Sequence, residues 1–177
     1  FADRPCIEFL GKSYSYAEIG SLVDRAAKGL RDLGVEKGSR VGLYLPNTPY
    51  YVVFYHAALR IGATVVNYNP LYARDEVLWQ ITDSATSVMI TLDVDVLWSK
   101  VAPAIAEGRL EQVVLCRMSG VLPFPKNVLF PIVRRRDLAK IERSPRIVDF
   151  DELVDNDGCF TPVELEASDT AVFQYTG

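Results

Sequence analysis

The stretch "RVGLYLP" at residues 40–46 carries no charge after Arg40 and lacks the in–out alternation of a strand with one wet face. "ATVVNYNP" at 63–70, "SVMIT" at 87–91 and "EQVVLC" at 111–116 are apolar in the same unbroken way, and helical patterns separate them. Strands apolar on both faces need helices on both faces, and strand–helix alternation places neighbouring strands parallel. These runs therefore predict an α/β fold: a doubly wound, largely parallel sheet covered on both sides. Sheets of this kind bind ligands beyond the carboxyl ends of their strands.

Ahead of that unit, "PCIEFLGKSYSY" at 5–16 reads as a hairpin turning at Gly11-Lys12. Ser15 and Glu18 have the spacing of a capping box. The helix that follows places Ile19, Leu22, Val23, Ala26, Leu30 and Leu33 on one face, and Gly34 ends it. Asn47 or Thr48 caps the next helix, with Pro49 near its first turn and Gly62 past its end. Further helices are expected over about 74–84 and 94–107. Residues 118–146, with Pro123, Pro125, Pro131 and Pro145, read as an insertion outside the sheet. "RIVDF" and "DELV" rejoin the fold, and an acidic connection leads to a last strand in "DTAVFQYTG".

The chain has 177 residues, 49% of them hydrophobic and 24% charged, which suits a globular domain with a sizeable core. No apolar run approaches the roughly 20 residues of a membrane span. Cys6, Cys116 and Cys159 are odd in number and widely spaced, which argues against a disulfide framework and for a reducing cytoplasm. One histidine and no Cys-x-x-Cys motif leave little for a transition-metal site. A net charge of −4 offers no overall attraction for nucleic acid. His56, in the apolar "VVFYHAAL", reads as a hydrogen-bonded core histidine. Tyr50, Tyr51, Phe54 and Tyr55 read as core and flank, Tyr14 and Tyr16 as packing beside the hairpin, and Cys116 as a small buried side chain. Asn67, Asn69 and Pro70 read as a tight turn after a strand.

Three stretches together resemble the adenylate-forming enzymes, and within them the acyl-CoA synthetases. "SYSYAEI" is similar to an early Leu-Thr-Tyr-x-Glu-Leu pattern, and "ALRIGATVVNYNPLYARDEV" to an Ala-x-x-x-Gly-Ala stretch closing on Asn-Pro. "FQYTG" looks like the start of a Tyr-Thr-x-Gly-Thr-Thr-Gly-x-Pro-Lys-Gly loop. The resemblance implies a ligase that activates a fatty acid with ATP as an acyl-adenylate and passes the acyl group to coenzyme A. It implies that Thr176 lies close to ATP and Mg²⁺, with Gly177 a loop residue and Tyr175 the aromatic before it. The chain would then be the N-terminal part of the large domain, and Phe1 in place of Met fits a piece of a longer enzyme. No catalytic residue falls within the piece, which is expected to be inactive alone. Aryl-CoA ligases and amino-acid-activating domains share the early stretches. A non-catalytic α/β module that docks on membranes is the reading from another class.

The insertion carries the strongest local charge. Between 126 and 146, seven basic residues (Lys126, Arg134, Arg135, Arg136, Lys140, Arg143, Arg146) face two acidic ones, Asp137 and Glu142. Phe130 and other apolar residues precede the arginine run. One reading is a solvated loop whose arginines meet the acids between Asp149 and Asp169. The other sets Phe130, Arg134, Arg135 and Arg136 against an anionic membrane, giving peripheral attachment on its inner face. A piece of a larger domain would also expose apolar surface, which a homodimer would cover.

Overall fold

A computed structural model of the chain describes residues 1–175. Its core is a six-stranded sheet, every neighbouring pair parallel, in the order β7-β6-β5-β3-β4-β8. The strands are β3 (Arg40–Tyr44), β4 (Thr64–Asn67), β5 (Val88–Leu92), β6 (Gln112–Cys116), β7 (Ile147–Asp149) and β8 (Val172–Gln174). A separate antiparallel hairpin, β1 (Pro5–Phe9) with β2 (Lys12–Ser15), precedes them. The doubly wound expectation holds, and all five residues of β5 are buried, as a central strand covered on both faces requires.

The helices are α1 (Tyr16–Asp32), α2 (Pro49–Arg60), α3 (Arg74–Ser84), α4 (Asp95–Ala106), α5 (Lys126–Val133) and α6 (Phe150–Leu153). The capping box at the start of α1 is complete: the Ser15 side chain accepts from the Glu18 backbone N–H, and the Glu18 carboxylate accepts from that of Ser15. The Ser15 N–H, and after it the Ser15 hydroxyl, donate to the Glu18 carboxylate and hold it below the usual range. The anticipated face of α1 is buried at Ile19, Val23, Ala26 and Leu30, with Leu22 and Leu33 half-buried. Thr48 stands at the N-cap of α2 and makes no side-chain cap bond.

Four details differ from the sequence reading. The hairpin turns at Leu10-Gly11, both with positive φ, one residue earlier than expected; the right-handed twist of a hairpin favours that left-handed pair. His56 is exposed on the outer side of α2, edge-on to Tyr55, because its neighbours Ala57 and Ala58 take the buried positions. Tyr14 is buried but Tyr16 is not. Finally, the insertion stays outside the sheet as expected but contains a 3-10 turn (Met118–Val121) and the helix α5. Pro125 is the N-cap of α5, where a missing N–H is harmless, and Pro131 removes only one bond of so short a helix.

Gly29 and Gly20 make a controlled pair on α1. A Cβ on Gly29 would meet the Leu153 carbonyl oxygen at 2.3 Å and its Cγ at 2.7 Å, so α6 sits directly on this helix. A Cβ on Gly20 would meet nothing within 4 Å. Gly29→Ala is expected to destabilise by about 1–3 kcal/mol, and Gly20→Ala to stabilise by about 0.5–1 kcal/mol. Urea midpoints read both, and equal shifts of the same sign would refute the packing of α6 on α1.

Candidate functional site

The chain runs outward from β3 to β4 and then crosses back to β5 on the other side of β3. At such a reversal parallel sheets place ligands beyond the carboxyl ends of their strands. Thr176 and Gly177 lie outside the described residues, but β8 ends at Gln174, two residues before Thr176, on this same edge.

Asn67, at the end of β4, ties that strand end into the core. Its side-chain N–H donates to Gln174 Oε1 of β8 at 2.8 Å, and its Oδ1 accepts from the Tyr51 hydroxyl of α2 at 3.0 Å. The Asn67 carbonyl accepts from Gln80 Nε2 of α3 at 2.8 Å. One residue thus joins two strands and two helices at the place where β8 leaves the sheet. The turn reading of this segment describes Asn69, whose side chain accepts from the Leu71 N–H, but not Asn67. Nothing in the sequence marks the difference, because the partner Gln174 is 107 residues away.

Tyr175 extends this anchorage. Its ring lies edge-on to Trp79 at 5.8 Å, and its hydroxyl donates to the Asp83 carboxylate. Desolvation, then the Asp83 carboxylate, push the phenol up to about 12. Behind it, Tyr68, Ser84 and Thr86 form a buried hydroxyl cluster, with Tyr68 and Thr86 oxygens 2.7 Å apart. These groups are satisfied by one another and read as structural.

Beyond β3 the edge is ionic. Arg117, just past β6, pairs with Asp149 of β7 at 2.8 Å. Asp93, just past β5, accepts from the Met118 N–H at 2.8 Å, and burial raises its carboxyl above the usual range. These residues line an open hollow of about 680 Å³, together with Ile141 and Arg143 from the returning limb of the insertion. The hollow lies at the ends of β5, β6 and β7, and β3 separates it from β4 and β8. Among the described residues no group of three or more His, Cys, Asp or Glu side chains is placed to hold a metal ion.

The structure places the insertion residues as follows. Phe130 is half-buried on α5, and Arg134, Arg135 and Arg136 are exposed just past its end. Arg134 pairs with Asp137, within the insertion. The expected meeting of these arginines with the acids of 149–169 does not occur among the described residues: Asp149 pairs with Arg117, and Asp169 with Lys37. The aromatic reading of α2 holds, with Tyr50 and Phe54 buried against Phe150 and Tyr51 stacked on Tyr55 at 6.0 Å. Cys116 is fully buried, which pushes its thiol well above the usual range.

The profile of the AMP-binding enzyme family matches residues 1–177, and the chain belongs to that family. A long-chain-fatty-acid–CoA ligase of Bacillus subtilis is 32% identical over 181 residues, covering the whole chain but 32% of that protein. A 4-coumarate–CoA ligase of Humulus lupulus is 37% identical over 94 residues, covering 52% of the chain and 17% of that protein. Among solved structures, a coronafacic acid ligase from Pectobacterium brasiliense superposes with a TM-score of 0.77 at 17% identity, covering 96% of the chain and 30% of that protein. An anthranilate–CoA ligase in complex with anthranoyl-AMP gives 0.76 at 14% identity, over 99% and 29%. At these identities the structures bear on the fold. The chain spans about a third of the length of the curated ligases that it matches throughout.

If Asn67 is what fixes β8, Asn67→Ala leaves Tyr51 and Gln174 without their partner, at a cost of about 1–3 kcal/mol. Amides of 172–174 should then exchange faster while those of β3 and β5 keep their protection; unchanged exchange in β8 would refute the role. Tyr175 gives a second check. Its phenol is raised above its unfolded value, so the stability it contributes is present below about pH 10 and lost as pH rises toward about 12. The stability difference between the protein and Tyr175→Phe should close over that window, and a difference that stays constant would refute the coupling to Asp83.

Proposed function

We propose that this member of the AMP-binding enzyme family is the N-terminal portion of an ATP-dependent fatty acid–CoA ligase. The observation that carries the fatty-acid reading is the extent of the match. Long-chain-fatty-acid–CoA ligases align with the whole chain, insertion included, whereas the 4-coumarate ligases align with about half of it. The reaction has two steps. A carboxylate oxygen attacks the α-phosphorus of ATP and pyrophosphate leaves; the coenzyme A thiol then attacks the acyl carbon, and AMP leaves with the bonding electrons.

The described residues serve that chemistry by position. β8, pinned to β4 through Asn67 and Gln174, ends at the carboxyl edge two residues before Thr176. In this reading the Thr176 hydroxyl and neighbouring backbone N–H groups meet the phosphates, stabilising charge that moves onto oxygen in the transition state. Among the described residues no group of three or more His, Cys, Asp or Glu side chains is placed to hold a metal ion, and Thr176, to which the resemblance assigns Mg²⁺, lies outside them. Residues 1–177 on their own are expected to release no pyrophosphate.

The test is pyrophosphate release by the full-length gene product with ATP, coenzyme A and a panel of carboxylic acids. Saturated and unsaturated fatty acids should support release, and 4-coumarate and benzoate should not. Thr176→Ala should lower turnover about 100-fold. Preference for 4-coumarate would move the assignment to an aryl-CoA ligase, and no release with any acid would favour a non-catalytic module.

A further inference from the structure

We propose that the insertion docks the protein on an anionic phospholipid surface through the outer face of α5 and the arginines behind it. α5 has no buried residue. Its outer face and the turn before it expose Phe124 at 81%, Ile132 at 70% and Val133 at 73%, with Val128 and Leu129 also exposed. Val128 and Ile132, and beside them Leu129 and Val133, are four residues apart on the helix and line up along one side, and Phe124 is exposed in the turn before it. An exposed apolar stripe on an otherwise ordinary surface marks a contact.

The charge beside the stripe selects the occupant. Arg134, Arg135, Arg136, Lys140 and Arg143 are all exposed, and among the described residues only Arg134 has an acidic partner. The insertion carries +5 between 126 and 146 in a chain of net −4. Of the acids between 149 and 169, Asp149 pairs with Arg117 and Asp169 with Lys37, and among the described residues none pairs with an arginine of the insertion. A second copy is disfavoured, because a two-fold contact would set one +5 face against another. A bilayer bearing anionic headgroups supplies an apolar layer for the stripe and phosphates for the arginines.

The limb that follows the arginines is fixed to the carboxyl edge of the sheet. The Ala139 N–H donates to the Asp93 carbonyl at 2.9 Å, the Asp95 N–H donates to the Asp137 carbonyl at 2.8 Å, and Leu138 bridges to Val94. Docking through Arg134–Arg136 therefore brings the end of β5 close to lipid. This inference stands apart from the ligase reading, since it rests on exposure and charge alone.

The experiment is flotation of the full-length gene product with vesicles of phosphatidylcholine and phosphatidylglycerol, against phosphatidylcholine alone. Binding should require phosphatidylglycerol, weaken with salt, and fall about 100-fold in Arg134→Glu/Arg135→Glu/Arg136→Glu. Ile132→Ser/Val133→Ser should weaken it about 10-fold or more with the charge intact. All five positions are exposed, so circular dichroism and the thermal midpoint should not move. Equal binding by the arginine variant, or no binding by the unaltered protein, overturns the proposal. Protection of the Phe124, Ile132 and Val133 side chains from hydroxyl-radical labelling before vesicles are added also overturns it, because protein would then already cover the face.

Discussion

A parallel pair of strands cannot be closed by a tight turn, and this restriction organises the molecule. β3 has parallel neighbours on both sides, β4 and β5, so every step between strands needs a crossover long enough to carry a helix. α2 makes the step from β3 to β4, α3 the return past β3 to β5, and α4 the step to β6. Those helices bury both faces of the central strands and leave polar groups to the strand ends. At Gly42, in the middle of β3, a Cβ would meet Met89, Thr86 and Tyr68 side chains at 2.8–2.9 Å. The centre of the sheet is therefore closed to ligands, and chemistry is confined to the carboxyl edge.

The longest crossover shows how that edge is completed. After β7 and α6 the chain returns from one border of the sheet to the other, to pair β8 with β4. The acidic segment that makes this passage is tied down along α1: Asn156 donates to the Arg25 carbonyl, Arg31 to the Thr161 carbonyl, and Lys37 bonds both the Glu164 carbonyl and Asp169. Its path is thus fixed mainly through backbone carbonyls, with Asp169 held by Lys37. The arginines of the insertion lie on a different path, and the separation of the two charged segments follows from topology.

What could be read in the sequence depended on how local the cause was. Strands without alternation, the Ser15–Glu18 cap and the Pro49 helix start are written within a few residues, and each appears as expected. Gly11 is legible as a turn residue, but its register depends on Leu10 accepting a positive φ, which a leucine does not advertise. α5 is obscured by Pro125 and Pro131, whose effect depends on their position within a helix. His56 sits in an apolar helix, yet only the packing of α2 on the sheet and α1 decides which side faces out. Asn67 is the largest miss at the candidate site, since its role exists only once β8 has crossed back beside it.

The carboxyl edge thus has two ends with different physics. On the β8 side, a polar clamp built from Tyr51, Asn67 and Gln174 positions the residues leading to Thr176. On the β5 side, the insertion returns from its exposed apolar and basic face to close on Asp93 and Asp95. β8, β4, β3 and β5 are consecutive in the sheet, so the two ends are three strand spacings apart, roughly 14 Å. Under the proposed reading, a ligase that takes an amphiphilic acid must hold its carboxylate at the nucleotide while its tail leaves a lipid phase. In that reading, the loop after β8 at one end of the edge and the proposed lipid-facing limb at the other would meet both demands without moving either element. The order of the strands, more than any one side chain, would then set the distance between them.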